Sequence, residues 1–134
     1  MAVIRSRAAV SDSCCRDRAA HVSEVLGVEP SESFEIGDTF ARGTQVREHS
    51  HWALDSPADG DLESQLRALL NRLEPLHLAL RDLRDEGYRL TWACFVENHD
   101  GDGSFTLSAA LVNDLGTFPA DLWIDAYADT EQPA

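Results

Sequence analysis

The sequence predicts an α+β fold: a two-layer sandwich in which helices lie mainly on one face of a mixed or mostly antiparallel sheet. Residues 88–97 are apolar on both faces, which is typical of a strand in the interior of a sheet. Residues 61–86 carry leucines spaced three and four apart, which marks the apolar stripe of an amphipathic helix. A strand and a helix of this kind bury their apolar surfaces against each other.

The first third of the chain predicts a strand, a helix and two further strands. Residues 2–10 alternate loosely between apolar and polar and are expected to form an edge strand. The apolar residues that follow share one helical face, which ends at Gly27. Alternation then predicts strands around residues 34–36 and 52–54, with a loop over residues 41–49 between them.

The leucine stripe is interrupted by Pro75, which lacks a backbone N–H and predicts a kink or a second helix starting there. Asp61 is in position to cap the start of this segment and Gly87 its end. The spacing also fits a coiled-coil seam. Because amphipathic helices of globular cores outnumber coiled coils of this length, we expect the stripe to cover the sheet. The stripe consists of Leu62, Leu66, Leu69, Leu73, Leu76, Leu80 and Leu83.

The last third of the chain predicts a turn, a strand, a short helix and a closing strand. The Gly and Asp residues of 98–103 suit a turn, and the alternation at 105–107 is expected to continue as a strand. Ser108 is in position to cap a helix, and residues 122–127 alternate as the closing strand. This order gives a ferredoxin-like β-α-β-β-α-β core with a β-α-β extension, in one α+β domain over residues 1–134.

Composition excludes several classes of partner. The 134 residues include 24 acidic and 11 basic ones, which gives a net charge of −13, and lysine is absent. Such a surface repels nucleic acid phosphates and anionic lipid heads, so we expect no nucleic acid and no membrane as partner. No apolar run approaches the roughly 20 residues that cross a bilayer, and the N-terminus does not resemble a secretory signal. We therefore expect a cytoplasmic protein.

The three cysteines do not predict a catalytic thiol. Cys94 lies in the apolar strand, where a free thiol packs as a small hydrophobe. Cys14 and Cys15 have arginine neighbours that favour a thiolate, but Asp12 and Asp17 oppose this effect. Since no base or orienting group accompanies them, no nucleophile is predicted.

A set of short motifs is arranged in a fixed order along the chain. The motifs are VSEVLGVEP at 22–30, Gly37, Trp52, LEP at 73–75, FTLS at 105–108 and LG at 115–116. Together they resemble an uncharacterised, mainly bacterial family, the domain of unknown function 4279, over about residues 20–128. The resemblance implies an α+β fold and carries over no catalytic residue. The weak first strand and the pair Cys14 and Cys15 depart from the family pattern.

The turn at residues 98–104 resembles the first half of an EF-hand calcium loop. Asp100 and Asp102 supply carboxylates at alternate positions, and glycines allow the sharp bend. The bidentate glutamate of such a loop is replaced by Ala109, so the second half is missing. A hairpin turn needs the same Asp and Gly residues, so a turn is the favoured interpretation and calcium binding the alternative.

The loop residues His49 and His51 form half of a transition-metal site. In an extended segment both imidazoles lie on the same side, a familiar arrangement for zinc. Two ligands do not complete a site, and exposed loop histidines are the commoner outcome. The candidate metal ligands are therefore His49, His51, Asp100 and Asp102, and no cofactor is predicted.

The closing strand offers a candidate interaction surface. Trp123 and Tyr127 share one of its faces, and Asp125 lies between them. If the helices cover the opposite face, these side chains are free to meet a partner protein or a second subunit.

The leading functional prediction is a non-enzymatic protein-interaction module that binds a partner protein or a second copy as a homodimer. A more specific form is an inhibitor or immunity-type protein that neutralises a basic toxin by charge complementarity. The sequence places no nucleophile, base and orienting group at recognisable spacings, which favours this class. The alternative is a small metal- or ligand-binding enzyme that uses the loop of His49 and His51.

Overall fold

The N-terminal strand lies in the middle of the sheet. The computed structural model describes residues 2–12, 18–98 and 105–128. The strands in these ranges are β1 (Ala2–Asp12), β2 (Glu32–Phe34), β3 (Thr39–Phe40), β4 (Gln45–Val46), β5 (His51–Asp55), β6 (Tyr88–Asn98) and β7 (Ala120–Ala128). Five of them form one sheet in the order β2-β5-β1-β6-β7, whereas β3 and β4 pair with each other.

The helices begin and end where the local sequence requires. They are α1 (Ala19–Leu26), α2 (Leu62–Leu73), a 3₁₀ turn (Glu74–Leu76), α3 (His77–Asp85) and α4 (Ala109–Leu115). Gly27 ends α1 in the left-handed conformation with φ 66°, which glycine adopts without steric cost. Asp61 caps α2 by accepting from Ser64 N at 2.8 Å, and Pro75 lies in the 3₁₀ turn that separates α2 from α3. In the described ranges, no helix is long and apolar enough to cross a membrane.

The strand directions define a ferredoxin-like core. β1 pairs antiparallel with β5 and β6, its two neighbours, and β2 pairs antiparallel with β5. The β-α-β-β-α-β order is therefore present, and its elements are β1, α1, β2, β5, the segment of α2 and α3, and β6. β7 lies parallel to β6 and is reached through α4, which completes the β-α-β extension. The predicted α+β sandwich with a mixed sheet is confirmed.

The leucine stripe forms the core of the same chain rather than a coiled-coil seam. Leu66, Leu69 and Leu73 of α2 have no exposed surface, and they belong to one buried cluster with Trp52 and Trp92. The side chains that β1, β5 and β6 contribute to this cluster are Ala8, Val10, Trp52, Leu54, Tyr88, Leu90, Trp92, Cys94 and Val96. They occupy alternate positions of their strands, so one face of the sheet, the helix-covered face, holds the core.

Three predicted elements differ from the structure. β1 is the central strand, so the predicted edge strand is wrong. The apolar alternation of β1 is weak because its core face carries the small residues Ser6 and Ala8. The predicted loop at 41–49 contains β4. Residues 105–107 are not a strand but an irregular segment that leads into the predicted cap of α4 at Ser108, and the place beside β6 is taken by β7.

Candidate functional site: the open face of the sheet

The face of the sheet opposite the core is partly exposed. Because side chains alternate along a strand, Arg5 and Arg7 of β1, Phe95 of β6, and Trp123 and Tyr127 of β7 share this face. Phe95 and Arg7 are half-buried, whereas Trp123 and Tyr127 are 55% and 52% exposed. We call this surface the open face.

A row of contacts crosses the open face from Arg5 of β1 to the aromatic rings of β6 and β7. The guanidinium carbon of Arg5 lies 5.3 Å from the centre of the Phe95 ring, in the geometry of a cation–π contact. The Phe95 ring in turn lies 5.4 Å from the Tyr127 ring. In the strand register Trp123 is opposite Ala93, whose small side chain leaves the indole unobstructed. We call Phe95, Trp123 and Tyr127 the aromatic patch.

Asp125 holds the hydroxyl group of Tyr127 in place. The Tyr127 hydroxyl donates a hydrogen bond to Asp125 Oδ2 at 3.2 Å. The negative charge of Asp125, together with this hydrogen bond, raises the pKa of Tyr127 above its usual value. Tyr127 therefore remains a protonated hydroxyl, and Asp125 retains a free carboxylate oxygen that is able to accept from a partner.

A cavity of about 500 Å³ lies along the open face beside the aromatic patch. Its lining combines the aromatic side chains of Phe95 and Trp123 with charged side chains, those of Arg5, Arg7, Asp55 and Asp59. Apolar and polar groups therefore both face this space, and a partner side chain with an apolar body and a polar tip fits it.

The two arginines of β1 differ in their electrostatic surroundings. Arg7 is ion-paired with Asp55 at 2.8 Å and lies 3.6 Å from Glu32, so its charge is already balanced. Arg5 is exposed and has no acidic partner among the described ion pairs. Arg5 is therefore a cation of the open face that is available to an incoming carboxylate or aromatic ring.

His49 and His51, the predicted metal half-site, line a second cavity of about 540 Å³ at the other end of the sheet. The His51 ring stacks on Phe34 with 5.0 Å between ring centres. The guanidinium of Arg47 lies 4.0 Å and 3.9 Å from the ring centres of Phe34 and Phe40, and all three side chains line this cavity. Both histidines are thus brought to the same cavity.

Burial lowers the pKa of His51 below 6.5, and the positive charges of Arg7 and Arg47 act in the same direction, while Glu32 opposes them. The imidazole is therefore neutral at neutral pH, the form that binds metals. Within the described ranges, no group of three or more His, Cys, Asp or Glu side chains is arranged to hold a metal ion. Asp100 and Asp102 lie outside the described residues, so the metal ligands remain a prediction.

The described cysteine is a structural residue. Cys94 is buried in the core, and burial raises the pKa of its thiol to about 11. A thiol with this pKa is protonated at neutral pH and is a poor nucleophile. Cys14 and Cys15 lie outside the described residues.

The predicted interaction residues Trp123, Asp125 and Tyr127 lie together on the open face, and their role remains a prediction. Sequence reasoning missed Arg5 and Phe95. The apolar pattern of residues 88–97 includes Phe95, but it does not reveal that β1 pairs with this strand and places Arg5 beside it. Recognising residues 2–10 as a partner of β6 would have supplied the missing signal, because Arg5 and Phe95 are directly opposite in that register.

The fold and the open face together define an α+β sandwich with one face used for its core and one face carrying exposed aromatic residues. The chain belongs to the family described as Domain of unknown function (DUF4279), which matches residues 10–129. Neither the curated proteins nor the solved structures contain a match to the chain. Family membership therefore assigns no activity, and the function has to be argued from the site.

Proposed function

We propose that the protein is a cytoplasmic, non-enzymatic interaction module that binds a basic partner protein through the open face. The observation that supports this proposal is the aromatic patch, where Trp123 and Tyr127 are each more than half exposed on a regular strand. Tryptophan and tyrosine dominate the binding energy of protein interfaces because they bury large areas with little loss of conformational freedom. A folded protein gains nothing from exposing them together unless another surface covers them.

The charge of the chain favours a basic partner. A net charge of −13 attracts a basic protein over long range and accelerates encounter, while contacts in the aromatic patch supply most of the affinity. The cavity between Trp123 and Asp59 provides a place for one anchoring side chain. In its most specific form, the module is an inhibitor or immunity-type protein that neutralises a basic toxin.

Affinity capture with matched variants tests this proposal. Trp123→Ala removes the largest exposed aromatic side chain of the open face, and Leu78→Ala removes a side chain of α3 that is 77% exposed. We expect the wild type and Leu78→Ala to capture the same basic protein and Trp123→Ala to lose it. With the purified pair, calorimetry should show at least a tenfold weaker complex for Trp123→Ala, and weaker binding at higher salt. Equal capture by all three proteins would overturn the proposal.

The second candidate function is a small metal- or ligand-binding enzyme that uses His49 and His51. The observation that favours it is the shared cavity of the two imidazoles, together with the burial that keeps His51 neutral. Equilibrium dialysis against zinc is the test. This function requires one tightly bound zinc in the wild type and in His77→Ala, and none in His51→Ala; absence of zinc from all three proteins would exclude a zinc enzyme.

A further inference from the structure

The outer edge of the sheet at β7 is long and regular. β7 pairs with β6 along nine consecutive positions without a bulge, and in the described ranges no strand lies on its other side. Large apolar side chains are exposed on both faces of this edge: Leu122 is 44% exposed, Trp123 55% and Tyr127 52%. A row of unpaired backbone groups flanked by apolar side chains is a template for another strand.

β7 lacks most of the features that usually protect an edge strand. Protected edges carry charged side chains, especially lysine, or proline or a bulge. Residues 120–128 contain no basic residue and no proline, and their charged residues are Asp121 and Asp125. The opposite edge is different, because β2 has only three residues. The exposed edge of β7 is therefore the position where this sheet is able to grow.

The residues of β7 are complementary about Ile124, because each acidic residue has an aromatic residue at the same distance on the other side. In an antiparallel pair of two β7 strands that overlap fully, Ile124 lies opposite Ile124 of the second copy, and Leu122 lies opposite Ala126. Asp121 then lies opposite Tyr127, and Asp125 lies opposite Trp123. Each carboxylate thus lies opposite an aromatic ring, and no two acidic residues are directly opposed.

The neighbouring registers are electrostatically worse. A shift of two residues in one direction brings Asp121 opposite Asp125 of the second copy, and the same shift in the other direction brings Asp125 opposite itself. Like charges directly opposite each other destabilise a strand pair. Of these three registers, the one with the largest number of backbone hydrogen bonds is therefore also the one without opposed carboxylates.

We propose that a second copy of this chain pairs with β7 in this register, so that the five-stranded sheet continues without a break through both subunits. Opposite residues of an antiparallel pair point to the same side of a sheet. The two open faces therefore lie on one side, and the two aromatic patches meet across the twofold axis. This pairing deepens the proposed function, because it doubles the surface that receives the partner, but it is testable without any partner.

Salt distinguishes this pairing from binding of a basic protein. Each copy carries a net charge of −13, so two copies repel each other, and added salt screens the repulsion. Self-association therefore strengthens with salt, whereas a complex with a basic partner weakens.

Sedimentation equilibrium of the full chain at low and moderate salt tests the pairing. We expect a dimer whose dissociation constant falls as salt is added. Tyr127→Asp places two acidic residues opposite each other twice in the dimer and should weaken it about tenfold, whereas Tyr127→Arg places a cation opposite Asp121 and should strengthen it. Leu78→Asp adds the same charge on α3 and should have little effect.

A cross-link tests the register independently. The background carries Cys14→Ser and Cys15→Ser. In it, Ile124→Cys should form a disulfide-linked dimer on mild oxidation, because the two Cys side chains lie opposite each other. Ala126→Cys should not, because residue 126 of one copy lies opposite residue 122 of the other and the two Cys side chains are too far apart. A monomer at about 1 mM at both salt concentrations would overturn the pairing. A dimer whose dissociation constant is changed by neither Tyr127→Asp nor Tyr127→Arg would also overturn the pairing. If the chain is monomeric while Trp123→Ala still loses its partner, the pairing fails and the proposed function stands.

Discussion

Trp92 and Trp123 lie on neighbouring strands of one sheet and have opposite surroundings. Trp92 on β6 is completely buried under the helices, while Trp123 on β7 is 55% exposed on the open face. The same alternation of side chains positions both. The difference teaches that the aromatic surface of the helix-covered face serves to fold the chain, whereas the open face leaves its aromatic surface exposed, where the proposed function places a partner.

The polar groups of the two faces differ in the same way. On the helix-covered side, Gln65 accepts from Ser6 Oγ at 2.9 Å and donates to the carbonyl oxygen of Ile4 at 2.8 Å, so these two side chains satisfy each other and the backbone. On the open face, Arg7 and Asp55 form an ion pair that remains in contact with solvent. An exposed ion pair of this kind contributes little to the free energy of unfolding, so Arg7 or Asp55 is able to form an ion pair with another molecule at low cost.

The tryptophan pair gives the largest expected contrast. Trp92→Ala should lower the free energy of unfolding by about 3–5 kcal/mol, because it leaves a cavity in the core. Trp123→Ala should change it by less than about 1 kcal/mol, since its ring is mostly in solvent. Urea denaturation measures both. Comparable losses would show that the open face is part of the core.

A milder variant covers the case in which Trp92→Ala does not fold. Trp92 Nε1 is buried without a hydrogen-bond partner among the described residues. Trp92→Phe removes this unsatisfied donor and creates a smaller cavity, so it should cost clearly less than Trp92→Ala.

Gln65→Ala gives the next largest effect. It removes the partner of Ser6 Oγ and of two carbonyl oxygens, those of Ile4 and Gly60, and should cost about 2–3 kcal/mol. A double-mutant cycle with Ser6→Ala measures how much of this loss belongs to the Ser6 contact. Additive losses would mean that the two side chains do not interact energetically.

Ser108→Ala should cost about 1 kcal/mol. The Ser108 hydroxyl caps α4 by accepting from Leu111 N at 3.1 Å and also donates to Glu63 of α2 at 3.0 Å. The matched control is Asn113→Ala, an exposed position of the same helix where alanine favours the helix. Thermal unfolding should separate the two variants, and equal melting temperatures would argue against the cap.

The smallest effect is a pH dependence that arises on the open side of β5. The pKa of His51 is lower in the folded chain than the 6.5 of an unburied histidine, so the unfolded chain binds more protons in this range. Stability from this group is complete above pH 6.5 and is lost as the pH falls through the folded pKa. We expect His51→Asn to show a shallower loss of stability between pH 7.5 and 5 than the wild type. Parallel pH profiles would show that His51 does not titrate differently on folding.

The sequence was sufficient for the elements whose alternation is strong. β6, β7 and the leucines of α2 and α3 combine large apolar side chains with clear periods, and the structure confirms them. From these elements the core and the exposed position of Trp123 and Tyr127 could be predicted.

β1 and the 105–108 segment show where such reasoning fails. The core face of β1 carries Ser6 and Ala8, because the leucines of the helices fill the space above it. Its hydrophobic period is consequently weak, and its central position depends on pairing with distant strands. The 105–108 segment has the alternation of a strand, but it runs directly into the N-terminal cap of α4 at Ser108 and pairs with no strand of the described sheet.

The central position of β1 has a consequence for synthesis of the chain. Ala2 lies opposite Asn98, so β1 is synthesised long before β6, its partner in the longest ladder. Until β6 follows, one edge of β1 stays without its partner strand even after β5 has paired with the other edge. Of the described elements, only α4 and β7 come after this ladder, and they extend the sheet outward from its centre.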